Sequence, residues 1–120
     1  GKIIDFIEQK GLNIIAQKRL LLDKKQAEMF YEIHKDRPFF SELVEFMISG
    51  PVVVQILQAE NAVELYRNIM GSTDPSLAEE NTIRKLYGQS IQCNAVHGSD
   101  STENAKIEIS FFFSQLEFII

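Results

Sequence analysis

The sequence holds a single cysteine, Cys93, among its 120 residues. That excludes an intrachain disulfide and a CxxC metal or redox motif, and it makes the reducing cytosol the simpler expectation. No apolar run approaches the ~18 residues needed to span a bilayer. No basic-then-apolar opening reads as a secretory signal. Positive charge is also in short supply: 12 Lys and Arg stand against 17 Asp and Glu, a net charge of −5. This balance argues against a general nucleic-acid or anionic-membrane surface. An anionic substrate would have to be met locally, by a few arginines and backbone N–H groups. Neither GxxxxGKS/T nor GxGxxG occurs, which sets aside a P-loop or Rossmann nucleotide site. No acidic cluster resembles a metal cage, and no segment repeats or is low in complexity.

What remains is a chain of ordinary globular composition, long enough to bury a real core and read as one domain over residues 1–120. It opens on Gly1 and its first residues already read as helix, so a natural segment upstream is expected. In GKIIDFIEQKGL the spacing of Ile3, Ile4 and Ile7 predicts a helix, with Gly11 as its stop. LNIIAQKRLLL suits a strand. Asp23 can cap DKKQAEMFYEIHK, with Ala27, Phe30 and Tyr31 inward and Arg37-Pro38 as the break. FFSELVEFMISG places Phe40, Leu43, Val44 and Met47 at helical spacing, with Gly50 as the stop. PVVVQILQA reads as a central strand, and Asn61 as the cap of NAVELYRNIMG, which Gly71 ends. STDPSLAEENTIRKLYGQ is a polar excursion with a helical turn near Thr82 to Leu86. SIQCNAV reads as another core strand, and STENAKIEISFFF as the last helix, with Ala105, Ile109, Phe112 and Phe113 inward. Paired helices among a few strands imply an α+β fold, with helices over one face of a small antiparallel sheet.

The chemistry-bearing stretch is NAVHGSD, Asn94 to Asp100. His97 stands at a strand end, Gly98 allows close approach, and Ser99, Asp100 and Ser101 offer cap oxygens for the following helix. Helix-opening N–H groups favour an anion. A neutral imidazole there suits attack on phosphorus, and Glu108, about two turns into the helix, could orient the ring. The plainer alternative is a polar histidine satisfied by the cap. Arg67 and Arg84 could stabilise phosphoryl oxygens or simply be solvated. Thr73 and Asn94 could add neutral donors. Phe39 could offer a face for a base to stack on or could pack in the core, and Tyr31 is a helix residue more often packed than catalytic. His34 reads as an ordinary surface residue, with no metal-ligand partner at i±4.

Four blocks, FYEIHKDRPFFSELVEFMISGPVVVQIL, RNIMGSTDPSLAE, NTIRKLYGQSI and NAVHGSDSTENAKIEISFFF, together resemble the nucleoside diphosphate kinases. They match in order and spacing across nearly the whole chain. The resemblance implies a ferredoxin-like βαββαβ fold and a ping-pong transfer of the γ-phosphoryl of ATP or another nucleoside triphosphate to a nucleoside diphosphate. His97 matches the phosphorylated histidine, Ser99 and Glu108 match residues that hold it, and Gly98 matches the glycine beside it. Arg67, Thr73 and Arg84 match the phosphate clasp, Asn94 a ribose contact, Phe39 the base-stacking aromatic and Tyr31 a tyrosine near the phosphates. Mg²⁺ would arrive mainly on the nucleotide phosphates, and a hexamer or tetramer is implied.

The sequence departs from the family pattern at one point. Family members begin with a strand carrying Lys-Pro-Asp, whose lysine reaches the phosphate and ribose. The sequence here starts after it, and the natural protein is expected to have it. The alternative function, a catalytically impaired nucleotide-binding or assembly module of the same fold, would follow from real loss of that lysine. A nucleic-acid-binding reading is opposed by the acidic charge.

Overall fold

A computed structural model describes residues 1–91 and 93–118. In chain order they form α1 (Lys2–Gln9), β1 (Asn13–Leu20), α2 (Lys24–Phe30), α3 (Phe40–Met47), β2 (Val52–Gln58), α4 (Ala62–Met70), α5 (Ile83–Tyr87) and α6 (Thr102–Phe112). β1 and β2 pair as a two-stranded antiparallel sheet, so the α+β class is as the sequence implies. The chain divides into two compact units, one of residues 1–16 with 56–120 and one of residues 17–55.

In the larger unit the core is Ile7, Leu12, Ile69 and Ile83, which α1, the turn after it, α4 and α5 bring together. Ile83 is wholly buried, and burial of such a side chain stabilises by roughly 1.5–3 kcal/mol. Gly11 ends α1 at φ 93°, in the left-handed region that favours glycine. Gly71 ends α4 in the same way, and a Cβ there would fall 2.6 Å from Thr82 Oγ1. In the smaller unit α2 and α3 pack together around Ala27 and Val44. Asp23 caps α2 through a capping box with Gln26.

Several expectations need correction. SIQCNAV is not a strand at any of its described residues (Gln92 lies outside them). The backbone N–H groups of Gln89 and Ser90 both donate to Cys93 O, closing a turn, and Ala95 sits at φ 78°. A strand requires a paired neighbour and extended φ; none of these described residues belongs to a strand pair, and Ala95 is not extended. The sheet therefore has two strands among the described residues, fewer than the sequence pattern implies. The helix after Asp23 ends at Phe30, and Glu32–His34 continue as a 3₁₀ turn well before Pro38. α3 stops at Met47, where Ser49 Oγ donates to Phe46 O at 2.6 Å, without help from Gly50. Asn61 precedes α4 at φ 55° and its side chain makes no cap bond. The polar excursion is ordered: Asp74 caps a 3₁₀ turn at Pro75–Leu77, and Thr82 caps α5.

Candidate active site

α6 begins at Ser101, whose Oγ accepts from Asn104 N at 3.0 Å, while Asp100 Oδ1 accepts from Asn104 Nδ2 at 2.6 Å. Ser101, rather than the half-buried Ser99, is thus the cap. Seven residues separate Ser101 from Glu108, roughly two helical turns, so both lie on one face of α6. The chain entering the helix brings His97 against Glu108. It leaves His97 Nε2 2.8 Å from Glu108 Oε1, with the two side chains 44% and 21% exposed. An ionised carboxylate can only accept, so Nε2 carries the proton and donates. In the uncharged ring the lone pair then belongs to Nδ1.

The residues flanking His97 are held from the other side. Arg84 is 9% exposed. Its Nη2 donates to Val96 O at 2.9 Å and its Nη1 to Gly71 O at 3.1 Å. One guanidinium therefore joins the residue before His97 to the end of α4. Arg84 Nε is buried without a hydrogen-bond partner among the described residues. Burial draws the Arg84 pKa down; nearby Tyr66 works against that shift, and Arg67 adds to it as a like charge. Arg67 itself is exposed. The reading of Arg84 as a solvated surface group does not hold. Gly98 faces Tyr66, and a Cβ there would lie 2.7 Å from the ring.

Asn94 Nδ2 donates to Thr73 O at 3.2 Å, so these two expected site residues meet through the backbone of Thr73. Arg67, Thr73, Arg84, Asn94, His97, Gly98, Ser99 and Glu108 all belong to the larger unit. Phe39 and Tyr31 belong to the smaller one. There Tyr31 is buried, its ring meeting that of Phe30 nearly edge-on with the centroids 4.9 Å apart. Phe39 is 41% exposed and its ring lies 5.9 Å from that of His34. His34 is no plain surface residue: its ring also approaches Tyr31 at 6.4 Å, and its Nδ1 is buried without a partner among the described residues. The Tyr31–His34 spacing of three was the available sequence signal, since i and i+3 share a helical face. Tyr66 had no such signal, because its neighbour Gly98 is remote in sequence. Among the described residues no group of three or more His, Cys, Asp or Glu side chains could hold a metal ion. No helix among them is long and apolar enough to cross a membrane.

A family profile described as nucleoside diphosphate kinase matches residues 1–118. The nucleoside diphosphate kinase of Wolbachia pipientis wMel is 63% identical over 119 residues, covering 99% of this chain and 86% of that protein. The crystal structure of the Aquifex aeolicus nucleoside diphosphate kinase superposes with a TM-score of 0.97 at 46% identity, covering 99% of this chain and 86% of that one. The Halobacterium salinarum nucleoside diphosphate kinase, solved in complex with CDP, gives 0.94 at 36% identity, covering 100% of this chain and 80% of that one.

Proposed function

The chain belongs to the nucleoside diphosphate kinase family and is an enzyme of that class, and we propose that it works in two half-reactions through a phosphohistidine on His97. The observation that carries this reading is the 2.8 Å contact between His97 Nε2 and Glu108 Oε1. It holds the proton on one ring nitrogen and leaves the lone pair on the other. In the first half-reaction Nδ1 attacks the γ-phosphorus of a nucleoside triphosphate. The N–P bond forms, the bond from phosphorus to the β,γ-bridging oxygen breaks, and the diphosphate departs with that electron pair. The Nε2 proton stays in place, and the Glu108 carboxylate offsets the positive charge the ring acquires. In the second half-reaction a terminal oxygen of another nucleoside diphosphate attacks the phosphorus, and the N–P electrons return to the imidazole.

Arg67, Thr73 and Arg84 are the proposed clasp for the phosphates, since cationic and hydroxyl donors match charge spread over equatorial oxygens. The depressed pKa of Arg84 marks a buried cation whose charge an incoming anion would relieve. Asn94 is the proposed ribose contact, Phe39 the surface on which the base stacks, and Tyr31 a neighbour of the phosphates. Ser99 is proposed to help hold the nucleophile, and Gly98 is the glycine beside it. A base held by stacking, without hydrogen bonds to its edge, is poorly discriminated, so broad base tolerance is expected. The CDP found in the halobacterial relative accords with nucleotide binding at this fold. The donor set of the described residues offers no dedicated cage, so Mg²⁺ fits here as a companion of the nucleotide phosphates, where it would neutralise charge. We further propose that the chain acts as one domain, in the cytosol, as a hexamer or tetramer.

Incubation with ATP and Mg²⁺ should yield an acid-labile phosphoryl adduct on His97. His97→Ala should abolish exchange and leave the unfolding transition nearly unchanged. Parental turnover in that variant would refute the mechanism, and a folded parent that forms no adduct would favour the impaired binding module.

A further inference from the structure

We infer that Tyr66 is a positioning residue for His97, holding the main chain on the C-terminal side of the nucleophile through contact with Gly98; this rests on His97 acting as the nucleophile. Gly98 has no side chain, and its surroundings leave no room for one. A Cβ at that position would fall 2.7 Å from both Tyr66 Cδ2 and Cε2, and 2.8 Å from Met70 Cε. The Gly98 backbone is therefore seated directly against the tyrosine ring. Tyr66 and Met70 are one turn apart on α4 and present one surface to it.

That surface is firm. Tyr66 packs against the cluster of Ile7, Leu12, Ile69 and Ile83, so its ring cannot swing aside without opening the core. On the N-terminal side of His97, Val96 O is held by Arg84 Nη2 at 2.9 Å. The peptide units before and after the nucleophile are thus both braced from behind, while Glu108 holds the imidazole itself. The two braces are neighbours. Burial pushes the Tyr66 phenol up to about 12, and the Arg84 charge works against that rise. In-line phosphoryl transfer tolerates little misplacement, and an error of about 1 Å in the attacking atom costs roughly a hundredfold. A rigid ring under Gly98 limits that error. Tyr66 is not among the groups proposed to hold the nucleotide, so its loss should act on turnover rather than on affinity.

The experiment compares the full-length protein with Tyr66→Phe and Tyr66→Leu, measuring kcat, KM for ATP and for the acceptor diphosphate, and the single-turnover rate of His97 phosphorylation. Tyr66→Phe keeps the ring and should retain kcat within about twofold. Tyr66→Leu should lower kcat and the phosphorylation rate about tenfold or more, with both KM values within about twofold of the parent. If Tyr66→Leu does not fold, Tyr66→Met, whose flexible chain occupies the space without a rigid edge, should give the same split. Parental kcat in a folded Leu or Met variant would overturn the inference, as would a rise in KM at constant kcat. Loss of active fraction with normal turnover per folded molecule would also overturn it, marking Tyr66 as core alone. A parent with no phosphohistidine removes the reading of His97 as well, whereas an unimpaired Leu variant removes only this one.

Discussion

A guanidinium as buried as that of Arg84 must find acceptors where it stands, because little water reaches it. Arg84 finds two, Gly71 O and Val96 O, thirteen and twelve residues away in sequence. Lysine carries the same charge but has no planar fork, so its ammonium cannot serve both carbonyls at these positions. Arg84→Lys is expected to lower stability by about 1–3 kcal/mol, through unmet buried polar groups, and to slow turnover at least tenfold. Urea denaturation beside a steady-state assay checks both, and unchanged stability would show that the two bonds do not hold the site. The sequence marked Arg84 as a candidate but left open whether it was solvated, because burial depends on what packs around α5. The link between His97 and Glu108 was legible, since it needs only a cap and a helical repeat. The contact of Tyr66 with Gly98 was not, since nothing local to either residue announces the other.

Capping separates the elements that the sequence specifies well from those it does not. Asp23, Thr82 and Ser101 each precede a helix in extended backbone and accept from the first turn. Asn61 has suitable chemistry, yet at φ 55° its side chain makes no such bond, because a capping side chain needs the β region to reach the first-turn N–H groups. Ser101→Ala should destabilise the protein by about 1 kcal/mol, read as a lower urea midpoint at constant slope. Because Ser101 lies at the mouth of α6, the same variant should weaken the hold of Glu108 on His97 and slow adduct formation. A midpoint equal to the parent's would mean that Asp100 and Asn104 suffice to start the helix. The described residues of SIQCNAV show the converse: the apolar pattern suits a strand, but a turn closes at Cys93 and Ala95 takes a left-handed φ.

At the scale of the whole molecule, the linkage between ionisation and folding offers a test independent of catalysis. Tyr66 has a native pKa of about 12, against an ordinary value near 10. Between those pH values the unfolded chain gives up the phenol proton while the native state keeps it. The stabilising contribution is therefore complete below pH about 10 and is lost as pH rises towards about 12, on the order of 2 kcal/mol in all. Arg84, whose pKa burial lowers, runs in the opposite sense. Denaturation midpoints measured from about pH 9 to 11.5 should fall more steeply in the parent than in Tyr66→Phe, and the difference between the two curves isolates the phenol. Parallel curves would mean that the phenol is not the group responsible.

The amino-acid sequence alone determined the α+β class, the order of most elements, the cap of α2, a short set of candidates for the cap of α6, and Glu108 as the candidate carboxylate for His97. Those features rest on hydrophobic period and on polar groups a few residues apart, so local chemistry suffices to specify them. Only the tertiary structure decided that Arg84 is buried against two backbone carbonyls, that Tyr66 lies under Gly98, and that His34 sits between two aromatic rings. Each of these depends on which side chains and hydrogen-bond acceptors the folded chain brings near, and neither residue type nor spacing carries that information.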